Sequence, residues 1–207
     1  MQAMIFVRPS GADGVGHVGW GIDCGDGTFH VGSIENPHHW LRSGPRTMGF
    51  WQVRTADPYS PMLARRYTTL KCLEVPLANP SGALRVVAWL STRPYDIVLH
   101  NCMNATYDVL RAYGVASLPL PFRHWEPNGW FHAVHAPARP LGVPPAQATL
   151  ACIDMPWNTT PEAPAWRVRS TAEHRAFQQA LAASEGAQAQ RSLSAIIRDF
   201  VHTLVGG

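Results

Sequence analysis

Lysine is almost missing from this chain. Of its 17 basic residues only Lys71 is a lysine, and charged residues of every kind make up just 15% of the 207 positions. The net charge is +3, with no basic run interleaved with aromatics, so nucleic acid is not an expected partner. Cysteine is scarce as well. Cys24, Cys72, Cys102 and Cys152 contain no C-x-x-C pair and are too scattered for a disulfide framework. That excludes a zinc ribbon and a thioredoxin-type redox pair, and it leaves free thiols. No apolar run reaches the length of a membrane-spanning helix, so no stable membrane insertion is expected. The opening residues, MQAMIFVRPSG, have no basic lead and only a short apolar run. They do not read as a secretory signal, and the expectation is a chain made in the cytoplasm.

What is present points to one globular core with many loops. The chain is 46% hydrophobic and has 8 tryptophans, 18 prolines and 17 glycines. Strands are expected over 3–9, 16–23, 28–35 and 68–76, where apolar residues alternate or cluster. Gly-Asp-Gly predicts a four-residue hairpin turn at 24–27. Residues 36–66 carry repeated X-Pro breakers and read as irregular. Asn79 followed by Pro80 predicts a helix start, with a helix over 80–92. Residues 95–101 read as a short strand or extended lead-in. From Cys102 the period changes: Met103, Tyr107, Leu110 and Tyr113 share a helical face, and Gly114 is a natural stop. A short helix is expected over 128–136, a Pro-rich connection over 137–169, and a helical extension over 170–207. In that extension Ser170 and Glu173 form a capping-box pattern, and Leu193, Ile196, Ile197, Phe200, Val201 and Leu204 form an apolar stripe expected to pack on the same domain. The expected class is α+β: residues 1–136 form a small antiparallel sheet packed against a Cys-bearing helix, followed by the connection and the extension.

The chemistry concentrates on three residues. Cys102 opens a helix, where unpaired backbone N–H groups and the helix dipole favour thiolate, and where the Cys102 amide itself can hold an oxyanion. His17 opens a strand on which Gly19 and Gly21 are its same-face neighbours, leaving room for another element to approach the imidazole. His30 lies on the next strand. With a four-residue turn it pairs opposite Gly21, on the face of His17, and is the candidate to orient the imidazole from its other nitrogen. His132 and His135 have H-x-x-H spacing, but no third ligand stands at a recognisable distance, so no metal or other cofactor is expected. Trp125, Trp130 and Phe131 read as core or as the rim of a cleft.

The segment HVGWGIDCGDGTFHVGS (17–33) resembles the His-strand-turn-strand segment of NlpC-type cysteine peptidases, papain-like enzymes that cut cell-wall peptides. In those enzymes the cysteine precedes the histidine. Here Cys102 follows His17, an order similar to the circularly permuted branch that includes lecithin:retinol acyltransferase-like proteins and the PPPDE peptidases. The segment YDIVLHNCMNATYDVL (95–110) resembles that branch's tyrosine, apolar strand, Asn-Cys and amphipathic helix. The resemblance spans roughly residues 3–113. It implies a permuted papain-like fold with Cys102 as nucleophile, His17 as base and His30 as the orienting residue. The implied function is hydrolysis of an amide bond, foremost in a peptidoglycan peptide. Alternatives are an acyltransferase or thioesterase on a lipid or acyl donor, and a catalytically silent interaction module. A cell-wall substrate for a chain without a signal peptide implies export by a dedicated secretion system, as for an antibacterial effector, with an immunity or secretion protein as partner.

Overall fold

The structure is a computed structural model and describes residues 1–35, 49–97 and 100–142. Six strands form one antiparallel sheet: β1 (Gln2–Arg8), β2 (His17–Asp23), β3 (Phe29–Ser33), β4 (Trp51–Thr55), β5 (Thr69–Glu74) and β6 (Ala138–Pro140), in the spatial order β4-β3-β2-β1-β5-β6. Four helices accompany it: α1 (Tyr59–Ala64), α2 (Pro80–Ser91), α3 (Cys102–Tyr113) and α4 (Pro127–Ala133). The α+β class is as expected. No helix among the described residues is long and apolar enough to cross a membrane.

The sheet is covered on both faces, which explains the unbroken apolar run in β1. Ala3, Ile5 and Val7 join Val18, Trp20 and Ile22 in one core, shared with the apolar sides of α2, α3 and α4. Met4 and Phe6 point the other way, into a second core with Val31, Trp51, Val53, Met62 and Tyr67. A strand buried on both faces needs apolar residues at every position rather than at alternate ones.

Helices α2 and α3 begin where the sequence signals place them. The Asn79 side chain accepts from Gly82 N at 2.9 Å, with Pro80 in the first turn, and the Asn101 side chain accepts from Asn104 N at 2.9 Å. Gly114 ends α3 at φ 114°, a backbone angle at which a Cβ would be strained. Helix α3 runs alongside β2, because Cys102 meets His17 at the start of the strand and Tyr113 donates to Asp23 O at 2.7 Å at its end. Eleven helical steps cover about 17 Å and six strand steps about 20 Å, so the two elements match in length.

Three elements depart from expectation. Strand β4 and helix α1 lie inside the stretch read as irregular, where Pro and Gly breakers mask the short alternation of Trp51–Thr55. Helix α1 is started by Asp57, whose carboxylate accepts from Tyr59 N at 2.9 Å and from the Ser60 hydroxyl. The Pro-rich connection begins with β6, an edge strand paired to β5, and the sheet edge is where proline is tolerated. The rest of that connection and the helical extension over 170–207 lie outside the described residues.

The hairpin differs by one residue, and that decides the site. The link between β2 and β3 is Cys24–Thr28, closed by Cys24 N to Thr28 O at 2.9 Å, with Gly25 and Gly27 at positive φ. It is one residue longer than the expected turn, so His30 pairs with Ile22 instead of Gly21. A one-residue slip moves a side chain to the opposite face of a sheet. His30 therefore stands on the face of Trp20 and Ile22, away from His17.

Candidate active site

Cys102 and His17 come together as expected. Cys102 is the first residue of α3 and His17 the first of β2; both are 6% exposed, and thiol and imidazole are hydrogen-bonded. The backbone of Val18 also hydrogen-bonds the Cys102 sulfur. The glycines beside His17 serve a different neighbour from the one expected. A Cβ on Gly19 would lie 3.2 Å from both Tyr67 Oη and Met62 Cε, and one on Gly21 would lie 2.8 Å from the Phe6 ring. The space they leave is filled from the second core, and the Tyr67 ring stands 5.7 Å from the imidazole. Helix α3 crosses the other face and reaches His17 only at the start of the strand.

The groups that His17 Nε2 meets are Glu35 and Ser33. Continuing the register of Trp20 with Gly32 and Gly21 with Val31 sets Ser33 opposite Gly19 and Glu35 opposite His17. Glu35 Oε1 is 3.3 Å from His17 Nε2, and Ser33 Oγ is 3.1 Å from the same nitrogen. The Ser33 hydroxyl donates to Val18 O at 2.8 Å, so toward His17 it acts as an acceptor. Two acceptors on Nε2 fix a proton there, and the remaining nitrogen, Nδ1, is the one left for the thiol. Glu35 is in turn held by Trp51 Nε1 at 3.2 Å and by Arg8 Nη2 at 3.6 Å.

These charges are arranged in series. Burial disfavours an imidazolium at His17, but the Cys102 thiolate and the Glu35 carboxylate outweigh it and raise the pKa to about 9. Burial pushes the Cys102 thiol up, yet the His17 charge and hydrogen bond bring it below its ordinary value. Burial would likewise raise Glu35, and its bond to His17 with the charges of His17 and Arg8 instead lowers it to about 2. Near neutral pH the arrangement favours a thiolate–imidazolium pair backed by a carboxylate.

His30 has another environment. It is 1% exposed, beside Arg54 across the β3–β4 ladder, and burial above all holds its pKa down to about 4. It is a neutral buried imidazole with no link to Cys102. The signal for Glu35 was present in the sequence only to a reader who knew that the hairpin link has five residues; the Gly-Asp-Gly tripeptide suggests four.

A cleft of about 430 Å³ opens onto the pair, lined among others by Arg8, Arg66, Tyr95, Asn101, Cys102 and Trp125. The backbone amides of Cys102 and Met103 lie in the first turn of α3, ahead of the amide that Asn101 caps. Tyr95 is buried beside Cys102, and burial first, then the thiolate, raises its phenol above the usual range. One wall is the loop before β2, pinned by Asn128, whose Nδ2 donates to Pro9 O at 3.1 Å and Gly14 O at 3.0 Å. Trp125 is 42% exposed at the rim, whereas Trp130 and Phe131 are core residues of α4. Among the described residues no three His, Cys, Asp or Glu side chains converge as a metal site would require, and His132 and His135 are both exposed. Compared with known proteins, the chain matches no family model, no curated protein and no solved structure.

Proposed function

We propose that this protein is a cysteine hydrolase of amide bonds, with Cys102 as nucleophile, His17 as acid and base, and Glu35 with Ser33 as the groups that orient the imidazole. The observation that carries the reading is the chain of contacts from thiol to imidazole to carboxylate at the mouth of one cleft. The Cys102 thiolate adds to the scissile carbonyl carbon, and the carbonyl electron pair moves to oxygen. The first-turn amides of α3 are the donors available to that developing charge. His17 gives its Nδ1 proton to the departing amine as the C–N bond breaks, leaving a thioester. Water then adds to the thioester with His17 taking its proton, and the C–S bond breaks to release acid and thiolate. The Nε2 proton stays on His17 throughout, shared in hydrogen bonds with the Glu35 carboxylate and Ser33, as with the orienting acid of a catalytic triad.

The substrate class we propose is a peptide of the bacterial cell wall. It rests on the resemblance of residues 3–113 to permuted NlpC-type peptidases, as does the permuted papain-like reading of the fold. The order of β2 before α3 and the sheet backing the Cys-bearing helix support it. The test is incubation of the full chain with purified peptidoglycan and mass analysis of the released fragments. Cleavage of an amide bond by the wild type, lost in a Cys102→Ala variant that still unfolds cooperatively, is the expected result. Equal turnover by Cys102→Ala would overturn the assignment.

A further inference from the structure

We propose that Arg66 determines specificity by receiving a carboxylate of the substrate, so that the hydrolase prefers carboxylate-bearing peptides. The inference rests on the cysteine-hydrolase reading and names its substrate class. Three observations on one residue converge. Helix α1 ends with Arg66 N bonded to Leu63 O at 2.9 Å and Tyr67 N bonded to Met62 O at 3.1 Å, the paired bonds of a Schellman stop. The left-handed position of that stop is normally glycine, and here it is Arg66 at φ 66°. A side chain there is strained, and it sits where helix termination alone would favour none. Second, Arg66 is exposed and lines the cleft that holds Cys102, His17 and Glu35.

Third, the Arg66 guanidinium has no ion-pair or hydrogen-bond partner among the described residues, unlike its neighbours. Arg8, in the same cleft, is committed to Glu35, to Arg65 O at 3.1 Å and to the Tyr67 ring. Arg65 stacks on Trp51 at 4.1 Å. Among the described residues, the acids lining the cleft are Glu35, occupied by His17, and Asp13, which already has an interaction of its own. Among the described residues of the cleft, Arg66 is therefore the uncommitted cation. A guanidinium presents a fork of N–H donors that fits a carboxylate, and the pair strengthens as a bound peptide displaces water.

The experiment compares alkylation of Cys102 by iodoacetate and by iodoacetamide, read by peptide mass mapping of the full chain. In both reactions the thiolate forms an S–C bond and iodide leaves with the C–I electron pair; only the charge of the reagent differs. Arg66→Gly should lower the iodoacetate-to-iodoacetamide rate ratio roughly three- to tenfold. Its melting temperature should stay the same or rise, because glycine relieves the strain, and Arg66→Lys should keep most of the ratio. The Arg66 effect should shrink as salt is added. An unchanged ratio in Arg66→Gly, with Cys102 still fast, overturns the inference and leaves the hydrolase reading standing. If Cys102 reacts no faster than Cys24 in the wild type, the hydrolase reading falls and this inference with it. Cleaved peptides then separate the carboxylate's source. Amidating the C-terminus, or replacing an acidic side chain by its amide, should raise KM about tenfold in one arm for the wild type and in neither for Arg66→Gly; no rise in either arm for the wild type also overturns it.

Discussion

Glu35 Oε1 stands 3.3 Å from His17 Nε2, across the strand pair from the residue that meets Cys102. Glu35→Gln keeps an acceptor for the Nε2 proton but removes the charge. The tautomer survives and the stabilisation of imidazolium does not. We expect kcat/KM to fall roughly ten- to hundredfold, less than the whole of a general acid–base contribution of about 10²–10⁴. Steady-state kinetics on the cleaved peptide checks it, and wild-type activity in Glu35→Gln would remove Glu35 from the mechanism.

The pH profile should follow the same contacts. The active ion pair needs Cys102 ionised and His17 protonated, so activity rises through the lowered thiol pKa and falls as pH passes about 9. These limbs belong to the coupled pair. Glu35→Gln should move the alkaline limb down. The stability signs are opposite for the two partners. His17 is raised from 6.5 to about 9, so its contribution is full below 6.5 and lost as pH rises through 9. Glu35 is lowered from 4.5 to about 2, so its contribution is present above 4.5 and lost as pH falls through 2. Melting temperature against pH should show both slopes in the wild type, and Glu35→Gln should lack the acid one.

His30 should prove dispensable for turnover. It faces away from His17 and is held neutral by burial. His30→Asn should keep kcat/KM within about twofold while costing on the order of 1–3 kcal/mol of stability, as a change at a packed polar site does. Denaturant unfolding and kinetics on the same sample separate the two effects. A loss of turnover with intact stability would restore His30 to the site.

The lone lysine has a structural task that predicts a large effect. Lys71 Nζ donates to Phe131 O at 2.8 Å, Val134 O at 2.7 Å and His132 O at 3.3 Å, tying β5 to the carbonyl end of α4. Lys71→Met fills the space and strands these carbonyls. We expect a loss of about 1–3 kcal/mol in urea unfolding for the buried acceptors left unpaired. Because Asn128 on α4 pins the cleft wall, the same variant should also weaken substrate binding. Unchanged stability would show that water takes the lysine's place.

The sequence by itself determined the starts of α2 and α3 and the stop of α3, which depend on near neighbours along the chain. Asn79 and Asn101 cap their helices because a side-chain oxygen reaches an amide three residues on, and Gly114 ends α3 because its φ is left-handed. The same local logic marked Cys102 as a thiol at a helix start and His17 as the opening of a strand. What the tertiary structure decided was pairing at a distance. One extra residue in the β2–β3 link, concealed in a Gly-Asp-Gly run, turned His30 to the other face and set Glu35 opposite His17. Strand β4, between breakers, forms because its Trp51 and Val53 complete a core with Met62 and Tyr67 from elements that follow it. Arg66 joins the cleft only once α1 has folded back against the sheet. Helix caps and stops are settled within a turn of backbone, whereas register, faces and the company of a buried charge are settled by which strand lies alongside.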